Sequence, residues 1–140
     1  LPFGAADAEA YWRERADEVR TGARIVLVAA DAADVVVGTV SLVPAWMPNQ
    51  PHRAEVSKLL VHSGHRRAGV ATALMRAAEE HARAIGRTLL TLDCVAGGPE
   101  EAFYVGAGYR VVGTIPGYAL SPTGELEGAT FLVKDLAAGA

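Results

Sequence analysis

The feature that most constrains this fold is a long amphipathic helix between two strand-like runs. Across residues 67–85 the apolar positions recur at intervals of three and four, as one face of an α-helix requires, and Gly86 follows as a typical helix end. These positions are Val70, Leu74, Ala77, Ala78, His81 and Ile85. Residues 54–61 and 88–95 on either side have the composition of strands. A helical crossover between them predicts two parallel neighbours in one sheet.

The rest of the chain predicts further strands and helices around this unit. Strands are predicted at residues 25–30, 35–43, 54–61, 88–95, 109–114 and 130–136, and helices at residues 6–21, 67–85 and 99–107. The first two strands should form an antiparallel hairpin, and residues 116–128 are expected to be rich in turns. This order indicates an α/β fold with a mixed sheet, without a regular doubly wound repeat. With no internal repeat or linker visible, we expect a single domain over residues 1–140.

Composition excludes several classes of protein. The chain has 140 residues, of which 51% are hydrophobic and 21% charged, as in a globular domain. A formal net charge of -3 supplies no basic surface for nucleic acid, and no apolar run approaches the roughly 20 residues of a membrane span. Cys94 is the single cysteine, so no intrachain disulfide can form, and we expect a cytoplasmic protein.

The segment that opens the long helix is suited to binding phosphate. A helix start offers amide N–H groups without intrahelical partners, and its dipole favours anions. Gly69 and Ala71 would let the backbone approach phosphate oxygens, and Thr72 adds a hydroxyl. The predicted pyrophosphate site comprises Arg66, Arg67, Ala68, Gly69, Val70, Ala71 and Thr72. The alternative is an ordinary helix start with two solvated arginines. Neither the dinucleotide fingerprint nor the P-loop motif is present.

Two motifs in this order carry a resemblance to a known family. Leu59-Leu60-Val61 ends a strand, and Arg66 to Ala71 matches Gln/Arg-x-x-Gly-x-Gly/Ala. Further on, Ala102-Phe103-Tyr104 and Gly108-Tyr109 match a short helix ending in Phe-Tyr and then a glycine–aromatic pair. Over residues 25–136 the sequence resembles the GCN5-related N-acetyltransferases. Residues 53–59 and 101–104 look most like bacterial enzymes that acetylate small molecules, including the tabtoxin-resistance type.

The resemblance implies a fold and a binding mode for acetyl-CoA. The sheet would be mixed and mostly antiparallel, with flanking helices and two central parallel strands that splay apart to admit the pantetheine arm. Backbone groups of Leu59 and Val61 would bond that arm, and an amide near Leu60 or Val61 would polarise the thioester carbonyl. Amides of residues 67–72 would hold the pyrophosphate.

The resemblance also suggests catalytic residues. Tyr104 matches the family's general acid, and a phenol of ordinary pKa about 10 can supply a proton to a thiolate of similar basicity. The alternative is a buried aromatic whose hydroxyl simply finds a partner. Candidate bases are Glu55 and Asp93, of which Asp93 is favoured because it interrupts the apolar run of residues 89–92. Either carboxylate could instead anchor a cationic substrate or be solvated surface charge, and their relative placement depends on the register of the two strands.

This sequence departs from the family pattern in two places. The asparagine that often precedes the short helix is replaced by Gly97 and Gly98, which changes the expected contacts there. No counterpart of the family's first strand and first helix precedes Ala6. We therefore expect either a trimmed chain or a partner subunit that completes the acceptor pocket.

These observations predict an enzyme that transfers the acetyl group of acetyl-CoA directly to a primary amine, on a small molecule. A protein or peptide N-acetyltransferase and a non-catalytic coenzyme A binding module are the alternatives. No metal is expected, since His62 and His65 lack a nearby cysteine or carboxylate to complete a site. Nucleic acid and membrane are not expected as partners. A homodimer is expected by analogy, with the final strands and residues 116–128 as the natural contact region.

Overall fold

A computed structural model describes residues 4–66 and 69–137 of the chain. Over these residues the helices are α1 (Ala5–Thr21), α2 (Val70–Ala84) and α3 (Pro99–Gly106). The strands are β1 (Ile25–Ala30), β2 (Val36–Pro44), β3 (Arg53–Val61), β4 (Leu89–Val95), β5 (Arg110–Leu120) and β6 (Leu126–Asp135). A single 3-10 turn, Ser63–His65, precedes α2. None of the described helices is long and apolar enough to cross a membrane.

The six strands form one sheet in the order β1-β2-β3-β4-β6-β5. The neighbours β3 and β4 are parallel, and the other four pairs are antiparallel. The predicted α/β fold and the predicted parallel pair are therefore confirmed. The β1–β2 hairpin is confirmed as well, and its turn is fixed by Asp31, whose Oδ1 accepts hydrogen bonds from the amides of Ala33 and Val35.

Helix α2 covers one face of the sheet and buries the main core. Its inner side contributes Leu74, Met75, Ala78 and Ala82, which pack against apolar side chains of the central strands. Those strand residues are Val40, Leu42, Ala54, Val56, Leu90 and Leu92. Since full burial of a Val or Leu side chain contributes about 1.5–3 kcal/mol, this layer is the main source of stability for the helix position.

Helix α1 is attached differently, through polar side chains. It has no buried residue. The Arg24 guanidinium, just beyond its end, donates from Nε to Glu18 at 2.7 Å and reaches the Ser57 hydroxyl at 3.4 Å. Lys58 lies over the Tyr11 ring, 5.2 Å from its centroid. Successive residues of a strand point to opposite faces of the sheet, and Val56 is buried in the core with α2. Contacts to the next residue, Ser57, therefore place α1 on the face opposite α2.

Two predicted boundaries were wrong, for local reasons. Helix α2 begins at Val70 and not at residue 67, because Gly69 has φ 79°, a left-handed conformation that a right-handed helix excludes. Arg67 and Ala68 lie outside the described residues. The segment 116–128 is mostly strand: β5 continues to Leu120 because a register shift between Ile115 and Ala119 accommodates Pro116.

Candidate active site

The parallel strands β3 and β4 pair over their first three residues and then separate. Within the described chain their ladder joins Arg53–Glu55 to Leu89–Thr91 and then ends. Both strands continue, to Val61 and Val95 respectively. Among the described residues, no strand lies beside the backbone N–H and C=O groups of β3 that face β4 beyond this point. An extended ligand can satisfy them as an added strand would.

A bulge in β3 accounts for the separation. Between the pairs Ser41–Ser57 and Thr39–Leu60, β3 has one residue more than β2. Lys58 lies in this stretch with φ 54°, a conformation uncommon for a residue with a side chain. A bulge bends the strand that carries it, so β3 turns away from β4. Nothing in the sequence marked Lys58 as special.

The gap opens into a cleft of about 500 Å³ between β3 and α3. Its walls include Leu59, Leu60, Val61, Arg66, Ala71 and Tyr104. The two predicted parts of the cofactor site, the end of β3 and the start of α2, are thus brought together with the predicted acid. A neighbouring cleft of about 400 Å³ shares Val61, Arg66, Ala71 and Phe103 with the first and extends along the start of α2.

The start of α2 is open to a ligand. In the described chain no side chain caps it, so the amides of Val70, Ala71 and Thr72 lack both intrahelical and capping partners. A Cβ added to Gly69 would meet nothing within 4 Å in the described chain, so the space beside this residue is open. The Arg66 guanidinium borders this space and forms no ion pair with any described residue. These amides and this cation together are suited to bind an anion.

Tyr104 is carried by α3, is buried and lines the cleft. The residue is 8% exposed, and its ring packs edge-on against those of Phe103 and Tyr109. No described residue forms a hydrogen bond with its hydroxyl. Burial, aided by the nearby Cys94 and by the charges of Glu100 and Asp93, raises the pKa of Tyr104 to about 12. The phenol therefore keeps its proton at neutral pH and can donate it.

A buried polar network supports the helix that carries Tyr104. Glu79 on α2 accepts hydrogen bonds from the Tyr109 hydroxyl at 3.2 Å and from Lys134 Nζ at 2.9 Å. Lys134 also donates to the Ala107 carbonyl at the end of α3. Burial and then the Glu79 carboxylate raise the pKa of Tyr109. These bonds tie α2, β6 and the end of α3 together and thereby fix the position of α3.

The register between β3 and β4 decides the placement of the two candidate bases. Glu55 pairs with Thr91, and Asp93 follows two residues later on the same strand face. Both carboxylates are exposed, on the face opposite α2. They therefore lie near each other at the point where the strands separate, on the other side of the sheet from α3. The Asp93 charge is close enough to Tyr104 to affect its pKa.

Two acidic residues at the start of α3 have roles that the sequence did not distinguish. Glu101 accepts hydrogen bonds from the Gly97 amide at 3.0 Å and from the Thr130 hydroxyl at 3.2 Å, and so anchors the loop between β4 and α3. Glu100 lines the cleft. In the sequence, both residues are acidic positions in the first turn of a predicted helix, and this pattern does not distinguish their roles.

Comparison with known proteins identifies the family. A model of the acetyltransferase (GNAT) family matches residues 2–109, which is more than half of the chain. The chain belongs to this acetyltransferase family. Ribosomal-protein-alanine N-acetyltransferase from Brucella melitensis is similar at 26% identity, with a TM-score of 0.78, and the match covers 91% of this chain and 78% of that one.

Two further solved acetyltransferases share the fold. An N-acetyltransferase from Staphylococcus aureus has 17% identity and a TM-score of 0.78, with 97% of this chain and 79% of that one covered. An aminoglycoside 6'-N-acetyltransferase complexed with coenzyme A has 21% identity and a TM-score of 0.74, with 95% and 81% covered. The prediction of an acetyltransferase that uses acetyl-CoA is confirmed.

The residues of this acetyltransferase fit that co-substrate. The separated strands offer unpaired backbone groups to an extended arm, and the uncapped α2 amides with Arg66 suit a pyrophosphate. Among the residues described, no three His, Cys, Asp or Glu side chains gather to hold a metal ion.

Proposed function

We propose that this chain transfers the acetyl group of acetyl-CoA directly to a primary amine on a small molecule. The observation that carries the proposal is the hydroxyl of Tyr104, which has no hydrogen-bond partner among the described residues. It belongs to a protonated phenol at the cleft formed by the separated strands. A proton donor at that place is what the departing sulfur of a thioester requires.

The proposed binding site uses groups along the whole cleft. Backbone groups of Leu59 and Val61 bond the pantetheine arm, and an amide near Leu60 or Val61 polarises the thioester carbonyl. The amides of Val70, Ala71 and Thr72 hold the pyrophosphate, aided by Gly69 and the Arg66 charge. Arg67 and Ala68 belong to the same proposed segment on the sequence alone.

In the proposed reaction each proton has a defined carrier. Bound acetyl-CoA supplies a thioester whose carbonyl carbon an uncharged amine can attack, forming the C–N bond as the C–S bond breaks. Tyr104 gives its proton to the sulfur as that bond breaks. Asp93 takes the proton that the amine loses, directly or through water, and Glu55 anchors the acceptor on the same face. The exchange of these two roles is the alternative assignment.

A second candidate is acetylation of a protein terminus. It is favoured by the 26% identity with the Brucella melitensis protein, which is named as a ribosomal-protein-alanine N-acetyltransferase. The small-molecule reading is supported by the two exposed carboxylates beside the gap, which suit a compact cationic acceptor. The non-catalytic alternative is disfavoured, because a pure binding module needs no proton donor at the thioester.

Three further properties form part of the proposal. The bacterial sources of similar structures support a bacterial origin. The single cysteine and the use of acetyl-CoA support action in the cytoplasm. Assembly as a homodimer is supported by apolar side chains exposed on β5 and β6, such as Val112 and Leu126.

The cofactor site is tested by titrating acetyl-CoA into the protein in a calorimeter. Gly69→Glu places a carboxylate where the pyrophosphate is proposed, whereas Gly69→Gln has the same size and the same backbone strain without the charge. We expect Gly69→Glu to bind at least about tenfold more weakly than Gly69→Gln. Equal affinity of the two variants would show that the pyrophosphate does not bind beside Gly69. If folded wild type does not bind acetyl-CoA, the proposed function is refuted.

The acceptor class is tested by thiol release from acetyl-CoA in the presence of matched acceptors. Diamines, monoamines and amino acids represent small molecules, and peptides with an N-terminal alanine represent the protein substrate. We expect turnover with small amines and none with the peptides. Turnover with the peptides alone would establish the second candidate. No turnover with any of them, despite tight acetyl-CoA binding, would favour the binding module.

A further inference from the structure

The sheet face opposite α2 has an aromatic surface beside the gap between β3 and β4. Phe131 on β6 pairs directly with Asp93 on β4, and paired residues of neighbouring strands point to the same face. The Tyr118 ring of β5 packs edge-on against the Phe131 ring, with 5.3 Å between the two centroids, and Tyr118 is 51% exposed. An acceptor amine at Asp93 therefore has an apolar surface next to it on the β6 side.

On the β3 side of the gap, the bulge brings a cation to the same face. Regular alternation would direct Lys58 towards α2, because Val56 lies in the core there. The Lys58 ammonium instead lies 5.2 Å from the centroid of the Tyr11 ring, which belongs to α1 on the opposite face. The left-handed φ of Lys58 within the bulge accounts for this change of face.

Lys58 has no anionic partner in the described chain. Its ammonium forms neither an ion pair nor a hydrogen bond with any described residue, and its contact is the Tyr11 ring. The two arginines on this side, Arg15 and Arg24, both bind the Glu18 carboxylate. Lys58 is therefore the cation that remains available to an anionic group of a ligand.

The register of the parallel strands places Lys58 near the two carboxylates. Counted from the Glu55–Thr91 pair, Asp93 is two residues further along β4 and Lys58 is three residues further along β3. They thus lie at similar heights on either side of the gap. Arg53, in the paired part of the strands, already donates to the Thr91 hydroxyl at 2.8 Å.

A small molecule with three different groups fits this order of side chains. An amine held by Asp93 and Glu55 is placed at the gap, an anionic group next to the amine meets Lys58, and an apolar group meets the aromatic pair. We infer that the acceptor is an α-amino acid with an apolar side chain, selected by Lys58 and by the pair formed by Tyr118 and Phe131. This assignment rests on the proposed function and narrows its acceptor class.

The same side chains disfavour the other acceptors. A diamine or a simple monoamine offers no anionic group, so Lys58 would face it as an unpaired like charge. The terminal amine of a peptide is followed by a neutral amide, where an amino acid has its carboxylate. Because three different contacts surround one carbon atom, the site should also distinguish an L-amino acid from its mirror image.

The acceptor class is tested by steady-state thiol release from acetyl-CoA with acceptors that each differ from L-phenylalanine in one respect. L-Phenylalaninamide lacks the carboxylate charge, L-alanine lacks the apolar group, D-phenylalanine has the mirror arrangement, and 2-phenylethylamine has no carboxylate. We expect kcat/KM for L-phenylalanine to exceed that for each of the others at least about tenfold. Equal values for L-phenylalanine and the two acceptors without a carboxylate charge would overturn the inference.

The role of Lys58 is tested by the ratio of kcat/KM for L-phenylalanine to that for its amide. Lys58→Met keeps the length and the backbone strain of this residue but removes the charge, and we expect the ratio to fall at least about tenfold. Lys58→Arg should retain most of it. Arg13→Met, which removes a cation 78% exposed on α1, is the control and should keep the wild-type ratio. Comparison of ratios cancels the different reactivities of the two amines.

The aromatic pair is tested by Tyr118→Ala, which should lower kcat/KM for L-phenylalanine and leave that for L-alanine nearly unchanged. Calorimetric binding of acetyl-CoA reports whether each variant is folded, and the wild-type acceptor series decides the acceptor class whether or not the variants fold. A ratio unchanged in folded Lys58→Met would overturn the role of Lys58. If wild type acetylates diamines or monoamines as well as L-phenylalanine, the inference is wrong and the proposed function stands. If wild type binds acetyl-CoA but acetylates no acceptor at all, both are refuted.

Discussion

Tyr104 shows how one side chain can be fixed in both position and protonation state. Two aromatic neighbours hold its ring, while its hydroxyl is left without a partner among the described residues. Removing only that hydroxyl in Tyr104→Phe should leave the packing intact. We expect kcat to fall by about 10²–10⁴-fold, the usual contribution of a general acid, and the Kd of acetyl-CoA to change little. Steady-state turnover and calorimetry check the two values, and an unchanged kcat would exclude Tyr104 as the acid.

The raised pKa of Tyr104 also predicts how stability depends on pH. The folded protein holds this proton up to about pH 12, whereas the unfolded chain releases it near the ordinary value of about 10. The resulting stabilisation is complete below about pH 10 and is lost as the pH rises towards 12. Urea unfolding from pH 9 to 11 should therefore show a steeper loss of unfolding free energy for wild type than for Tyr104→Phe. If the unfolding free energies of the two proteins fall in parallel with pH, burial does not shift the pKa of Tyr104.

The roles of Glu55 and Asp93, on the sheet face opposite α2, can be distinguished by steady-state kinetics. If Asp93 is the base, Asp93→Asn should lower kcat and leave the KM for the amine nearly unchanged. If Glu55 anchors the acceptor, Glu55→Gln should raise the KM for the amine and leave kcat nearly unchanged. Each substitution keeps the size of the side chain it replaces. The reverse pattern would mean that Glu55 is the base and Asp93 anchors the acceptor. If neither variant changes kcat or KM, both carboxylates are solvated surface charges without a role in the reaction.

At the scale of elements, the position of α2 depends on close contact with β2. A Cβ on Gly38 would lie 2.9 Å from Val70 Cγ1 and 3.0 Å from Leu74 Cδ1, so the first turns of α2 fit only against glycine. We expect Gly38→Ala to lower the unfolding free energy by about 1–3 kcal/mol and to weaken acetyl-CoA binding, since the helix start must move. Gly113→Ala is the control, because a Cβ there meets nothing within 4 Å.

Urea unfolding of both variants measures the difference in stability. Gly113→Ala should stay within about 0.5 kcal/mol of wild type. Equal stability of the two variants would mean that α2 can shift without cost, and the close contact would then not determine where the helix starts.

At the scale of the whole molecule, residues of β3, α2 and α3 line the cleft together. A ligand bound there should therefore stabilise the entire chain against unfolding. At a concentration 100 times its Kd, acetyl-CoA should add about 2.7 kcal/mol to the unfolding free energy. Scanning calorimetry should show a Tm that rises with the logarithm of ligand concentration. In Gly69→Glu the rise should be smaller than in Gly69→Gln, and an equal rise would contradict the proposed pyrophosphate site.

The sequence by itself determined the helix–strand order, the parallel pair and the segment that opens α2. These depend on local periodicity, on turn residues and on a short motif, all of which are properties of neighbouring residues. The start of α2 and the end of β5, which it missed, involve conformations that composition does not reveal: the left-handed Gly69 and the bulge that lets β5 pass Pro116.

Only the tertiary structure decided which groups meet. The bulge at Lys58 separates β3 from β4, and the register of that pair brings Glu55 and Asp93 to one face. The buried environment of Tyr104 raises its pKa, and the order of the strands places β5 at an edge of the sheet. Each of these depends on contacts between residues far apart in the chain, and such contacts arise from packing the elements together, which local sequence patterns do not encode.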